Sequence, residues 1–79
     1  MIKYITLNDI NTGEKAKIKS INIDDSIKRR LNDIGLIEDT ITECVGQSPM
    51  GDPKAFIIRG AVIAIRSEDS SRITVERFL

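Results

Sequence analysis

The chain has 79 residues, with 12 Lys plus Arg, 12 Asp plus Glu and no His, so its formal charge is zero; 41% of its residues are hydrophobic and 30% charged. That length predicts a single domain, residues 1–79, with a thin core. The balanced charge argues against a nucleic-acid binder held by bulk electrostatics and against a polybasic membrane-surface module. Lack of His removes the commonest general base, the usual catalytic triads and the commonest zinc ligand. A single cysteine, Cys44, excludes an internal disulfide framework and points to a reducing, cytoplasmic compartment. No apolar run reaches the roughly 18 residues of a membrane span, and the stretch from Met1 to Leu7 lacks the apolar core of a secretory leader.

The first segment carries Ile2, Tyr4, Ile5, Leu7 and Ile10, and reads as an irregular entry anchored by Leu7 and Ile10. Asn11-Thr12-Gly13-Glu14 is a turn. A strand should follow over about 16–23. Its apolar phase starts at Ala16 and Ile18 and slips by one to Ile21 and Ile23. A strand has a side-chain period of two, so the slip predicts a bulge or bend near Ser20. The one convincing helix runs from about Asp25 to Ile34. Ile27, Leu31 and Ile34 recur at i, i+4 and i+7 and make a narrow stripe for the core. Asp24 or Asp25 can cap its start, and both can pair with Lys28 and Arg29 one turn on. Gly35 supplies the left-handed residue that ends it.

After Leu36 and Ile37, a turn at Glu38-Asp39 leads to a strand over about 40–46. Ile41, Glu43 and Val45 share one face, and Thr40, Thr42 and Cys44 the other. Two prolines and a glycine make 47–53 a loop. The runs 55–59 and 61–66, joined at Gly60, are apolar at nearly every position, the pattern of strands covered on both sides. Ser67-Glu68-Asp69-Ser70-Ser71 reads as one capped turn. Ile73 and Val75 alternate with Thr74 and Glu76 in a last strand. Four or five short strands with one inserted helix close best as a small barrel.

Chemistry-bearing residues are few. Arg29 lies opposite the apolar stripe and reads as solvated. Arg30 flanks the stripe and fits two roles equally: an acidic-partner contact, or methylenes covering the core edge. Pro49-Met50-Gly51-Asp52-Pro53 fits a plain hairpin connector and a stiffened recognition loop alike, with Met50 as its adaptable apolar contact. Cys44 reads as a small core residue. Asp24-Asp25 and Glu68-Asp69 fit turn and capping duty first, because a hard cation would need about six oxygens. There is no glycine-rich phosphate loop, and three aromatic residues make a poor stacking platform for RNA. Leu36, Ile37, Met50, Phe78 and Leu79 lie beside turns, loops or the terminus, and such surplus apolar surface points to a protein partner.

One ordered series spans the chain: Leu7, Ile10 and Gly13; Arg29-Arg30-Leu31; Asp33-Ile34-Gly35-Leu36; Pro49-Met50-Gly51-Asp52-Pro53; Arg59-Gly60; Ala64-Ile65-Arg66; Ile73-Thr74-Val75. This series resembles the FeoA family, the small cytosolic component of bacterial ferrous iron uptake. The resemblance implies an SH3-like barrel with an inserted helix, the fold also of the C-terminal domain of DtxR-type repressors. It implies association with the cytosolic part of the transporter FeoB, which carries a GTPase domain. Three positions depart from the family pattern. Glu38-Asp39 stands where Pro-Gly is usual, Ala61 where a bulkier residue is common, and Ser70 where Ala is common. Asp tolerates a left-handed backbone better than most residues, so the turn survives.

The expectation is therefore a mainly β, SH3-like barrel of about five strands with one inserted helix. It is non-enzymatic, with no cofactor and no resident metal, and does not insert into the membrane. Its partner surface is the rim made by Arg30, Leu31, Leu36, Met50, Asp52 and Pro53. Self-association stays open. The rival readings are a metal or small-ligand sensor, in which Asp24, Asp25, Glu68 and Asp69 converge, and an adaptor for an unrelated protein.

Overall fold

The computed structural model describes residues 3–77. Phe78 and Leu79, two of the surplus apolar residues, lie outside the described residues. Six strands form one antiparallel sheet: β1 (Lys3–Thr6), β2 (Lys15–Ile21), β3 (Ile41–Gln47), β4 (Lys54–Ile58), β5 (Ala61–Ile65) and β6 (Ile73–Arg77). Their spatial order is β1-β6-β2-β3-β4-β5, so the last strand in sequence lies between β1 and β2. Two helices complete the fold, α1 (Asp25–Asp33) and the single turn α2 (Ser67–Ser70). The strand beyond the five expected is β1, in the entry segment that reads as irregular in the sequence. Lys3 to Thr6 lies opposite Arg77 to Thr74, a pairing across the whole chain that no local pattern signals.

The phase slip in β2 is a bulge. Ile18 faces Val75 and Ser20 faces Thr74, which leaves Lys19 as the extra residue. A second irregularity lies between Cys44 and Gly46 in β3. Such bulges bend strands, and here the sheet curls around one core. Leu7, Ile10, Ile18, Leu36, Cys44, Phe56, Ile58, Ile73 and Val75 are fully buried in it, with Leu31 of α1 at its edge. Thr42 sits on the inner face of β3, where its hydroxyl donates to the Ile57 carbonyl at 2.9 Å. Lys54 Nζ donates to the carbonyls of Asn8 and Ile10 at 2.7 and 3.0 Å, and fastens the 3₁₀ turn after β1 to β4.

Helix α1 starts without side-chain help. Asp24 is its N-cap by position, but neither acid caps it, and the ion pairs of Asp24 with Lys28 and Asp25 with Arg29 do not form among the described residues. Its end is tightly built. Leu36 N–H donates to the Leu31 carbonyl at 2.9 Å and Gly35 N–H to the Asn32 carbonyl at 3.0 Å. Gly35 has φ +100°, so this is a Schellman motif, with Leu31 and Leu36 both buried as its apolar contact. Asp39, in the turn that departs from the family pattern, takes φ +71°, the left-handed backbone that Asp accommodates.

Strand β5 corrects the sequence expectation. It is an edge strand, not one covered on both sides, and Val62 is 65% exposed. The two-residue turn Arg59-Gly60 has positive φ at both positions, as a right-twisted hairpin requires.

Candidate docking surface

The loop after β3 is held from within and from outside. Ser48 N–H donates to the Pro53 carbonyl at 3.0 Å, Gly51 N–H to the Ser48 carbonyl at 2.8 Å, and the Ser48 hydroxyl to the Asp52 carbonyl at 2.6 Å. The Asp52 carboxylate accepts from the Ser67 N–H at 2.8 Å and the Ser67 hydroxyl at 3.1 Å. It thereby occupies the capping place at the start of α2, which has no cap of its own. Internal bonds and this clamp leave Met50 at the tip, 91% exposed.

Beside α2 opens a groove of about 600 Å³ between α1 and β5. Ile27, Arg30, Leu31 and Ile34 line one wall, and Ile63, Ala64 and Ile65 the other, with Arg66, Glu68 and Asp69 at one end. Of the six predicted surface residues, Arg30 and Leu31 meet in this groove. Met50, Asp52 and Pro53 share the loop, and the Asp52–Ser67 clamp joins that loop to the chain next to Arg66. Leu36 is fully buried beneath the helix end, where it holds the Schellman turn in place. The groove's apolar walls, Ile27, Ile34, Ile63 and Ala64, were absent from the predicted surface. Their signal was the unbroken apolar run of β5 together with a helix stripe wider than one buried leucine.

The carboxylates converge in part. Asp24, Glu68 and Asp69 line one cleft of about 220 Å³ with Ile23, Ile27 and Arg72, and Asp25 stands outside it. Among the described residues, no three Asp, Glu, Cys or His side chains form a set that could hold a metal ion. Cys44 is buried, its thiol 3.6 Å from the Gly46 carbonyl. Two titrations are displaced, both away from the groove. Glu14 lies below the usual carboxylate range because it accepts from the Asn11 N–H at 2.6 Å and from Arg77. Lys19 is raised by the Glu76 carboxylate 3.4 Å away.

The family model described as the FeoA domain matches residues 5–77. A FeoA-like protein from Clostridium acetobutylicum is 33% identical, with a TM-score of 0.85 over 100% of this chain and 92% of that one. The FeoA protein from Chlorobium tepidum is 25% identical, with a TM-score of 0.90 over 95% of this chain and 71% of that one. FeoA from Stenotrophomonas maltophilia, complexed with zinc and described as an SH3 domain protein, is 24% identical with a TM-score of 0.77, over 90% of this chain and 88% of that one. A manganese-dependent transcriptional repressor is 16% identical with a TM-score of 0.84, over 99% of this chain and 44% of that one. These likenesses make the fold SH3-like. No match was found among curated proteins.

Proposed function

This chain belongs to the FeoA family, which is associated with ferrous iron transport, and on that premise we propose that it is a cytoplasmic accessory protein that docks on the cytosolic part of a FeoB-type transporter and modulates Fe²⁺ uptake. The observation that carries the reading is the rim itself. A clamped loop presents an almost fully exposed Met50, and the clamp ends beside an apolar groove flanked by Arg30. Exposed apolar surface with polar borders is the usual mark of a protein contact. Arg30, Leu31, Met50, Asp52 and Pro53 form the contact, and Leu36 supports it from below. Docking can move the transporter between states only through a difference in affinity for those states.

The test is titration of the purified chain with the cytosolic fragment of a FeoB-type transporter, beside Fe²⁺ uptake in cells that lack the chain. Met50→Asp and Arg30→Glu should each fold normally and weaken binding by about tenfold or more, as loss of an interface anchor does. Binding and uptake unchanged by both variants would overturn the surface. A sensor reading draws on the shared cleft of Asp24, Glu68 and Asp69. Arg72 lies in that cleft and opposes a cation there. Anaerobic calorimetry with Fe²⁺ or Mn²⁺ separates the readings, because stoichiometric heat without any partner would favour the sensor.

A further inference from the structure

Met50 stands almost wholly exposed at the tip of its loop, so its own contacts do not hold it in place. Its position is set by whatever holds the loop. Ser48 bonds within the loop, to the carbonyls of Asp52 and Pro53. The side-chain tie to another element is the Asp52 carboxylate, which accepts from the N–H and the hydroxyl of Ser67, the first residue of α2. A single turn of four residues is too short to hold itself, and α2 has a second anchor at its other end. There Ser70 is fully buried, and its hydroxyl donates to Asn8 Oδ1 at 3.2 Å. That hydroxyl also lies 3.5 Å from the Ser67 carbonyl, within α2. Asn8 belongs to the three-residue 3₁₀ turn Leu7–Asp9, and the carbonyls of Asn8 and Ile10 accept from Lys54 Nζ. Lys54 is two residues along the chain from Asp52. The bonds therefore close a ring: Asp52 to Ser67, through α2 to Ser70, Ser70 to Asn8, Asn8 to Lys54, and along the chain back to Asp52.

We propose that Asn8, Lys54, Ser67 and Ser70 are positioning residues for docking, because the ring they close with Asp52 presents Met50 in one place. Three segments distant in sequence meet in this ring, and two of them, α2 and the 3₁₀ turn, are too short to be rigid alone. Each bond fixes the geometry of the next, so loss of one loosens the others, as in other hydrogen-bonded networks. An anchor already held in its bound place loses less freedom on binding, and affinity rises accordingly. Ser70 isolates this effect. It is fully buried and does not line the groove, so it has no surface with which to meet a partner. Any influence of its hydroxyl on docking travels through the ring. The partner's identity rests on the docking reading above, whereas the hold on Met50 does not.

The test compares Ser70→Ala with the parent in two measurements: backbone order parameters from NMR relaxation on the isolated protein, and titration with the cytosolic fragment of a FeoB-type transporter. In the parent, Met50 and Gly51 should be as ordered as the strands, near about 0.85; Ser70→Ala should lower them toward about 0.6. The same variant should weaken binding of the fragment by about two- to tenfold. That weakening should vanish in a Met50→Ala background, where a general loss of stability would persist. Asn8→Ala breaks the same bond from its other end, gives the same readings should Ser70→Ala not fold, and combined with it should do no more than either alone. Ser71→Ala, whose hydroxyl bonds the Glu68 carbonyl outside the ring, is the control and should change neither measurement. If Ser70→Ala loosens the loop and the fragment does not bind the parent, the transporter reading falls and the ring's hold on Met50 stands. If the fragment binds the parent and Ser70→Ala leaves either the loop order or the affinity unchanged, the proposal is overturned while docking stands. A loop already disordered in the parent overturns it, and so does an affinity loss that persists without Met50.

Discussion

Gly35→Ala attacks the joint between α1 and the rest of the fold. Two costs follow from the geometry. The residue sits at φ +100°, where an L side chain costs roughly 1–2 kcal/mol. Its new Cβ would also lie 2.6 Å from Arg59 Cδ and 3.1 Å from Arg59 Nε. Arg59 must swing away or leave its rotamer, at about 0.5–1.5 kcal/mol. The total of roughly 1.5–3.5 kcal/mol is a large share of the roughly 4–12 kcal/mol available to a domain of this length. At about 4–8 °C per kcal/mol, the melting temperature should fall by roughly 6–28 °C. Thermal and urea unfolding followed by circular dichroism measure it. Arg59→Ala separates the two costs, because Gly35→Ala in that background should lose only the backbone part. A melting temperature within about 3 °C of the parent would refute the reasoning, and an equal loss in both backgrounds would refute the Arg59 part.

Four further outcomes are expected. Asp52→Ala removes both bonds to Ser67 and should cost about 0.5–2 kcal/mol, as loss of a helix cap does; coupling to Ser67→Ala in a double-mutant cycle checks that the clamp is the cause. Lys54→Met leaves the Asn8 and Ile10 carbonyls without their donor and should cost about 1–3 kcal/mol in urea unfolding. Glu14 has a folded pKa below its unfolded one, so its contribution is present above the unfolded value and lost as pH falls through the folded value; Glu14→Gln should flatten the acid limb of the stability profile. Met50→Asp should leave the melting temperature unchanged to within about 0.5 kcal/mol of equivalent stability, because the side chain touches almost nothing.

Local signals were legible and distant ones were not. The helix showed in Ile27, Leu31 and Ile34 and in Gly35, because its period and its stop lie within a dozen residues. The bulge at Lys19 showed as a slip of phase. Strand β1 did not show, because its partner is some 70 residues away and its own pattern does not alternate. The apolar run in β5 suggested burial on both faces. Periodicity cannot distinguish that from an edge whose apolar side borders an open groove. The helix period places Arg30 beside the core stripe, and Arg30 and Leu31 do line the groove; the two prolines mark the loop that the Ser48, Gly51 and Asp52 bonds hold. Asp52 was named for that rim without its clamp, since Ser67 comes within reach only when β4 and β5 fold back. Leu36 was named as surface because it follows a turn, yet the Schellman geometry turns it inward.

The position of β6 has a consequence for biosynthesis. A strand that follows the other five in the chain but lies between β1 and β2 leaves β1 without its partner until it arrives. While the ribosome still holds residues 73–77, the nascent chain has β2 through β5 available to pair and β1 with no neighbour. The domain therefore completes its sheet only after translation has passed its final strand, and a ribosome stalled before Ile73 should hold a protease-sensitive chain rather than a partly finished barrel.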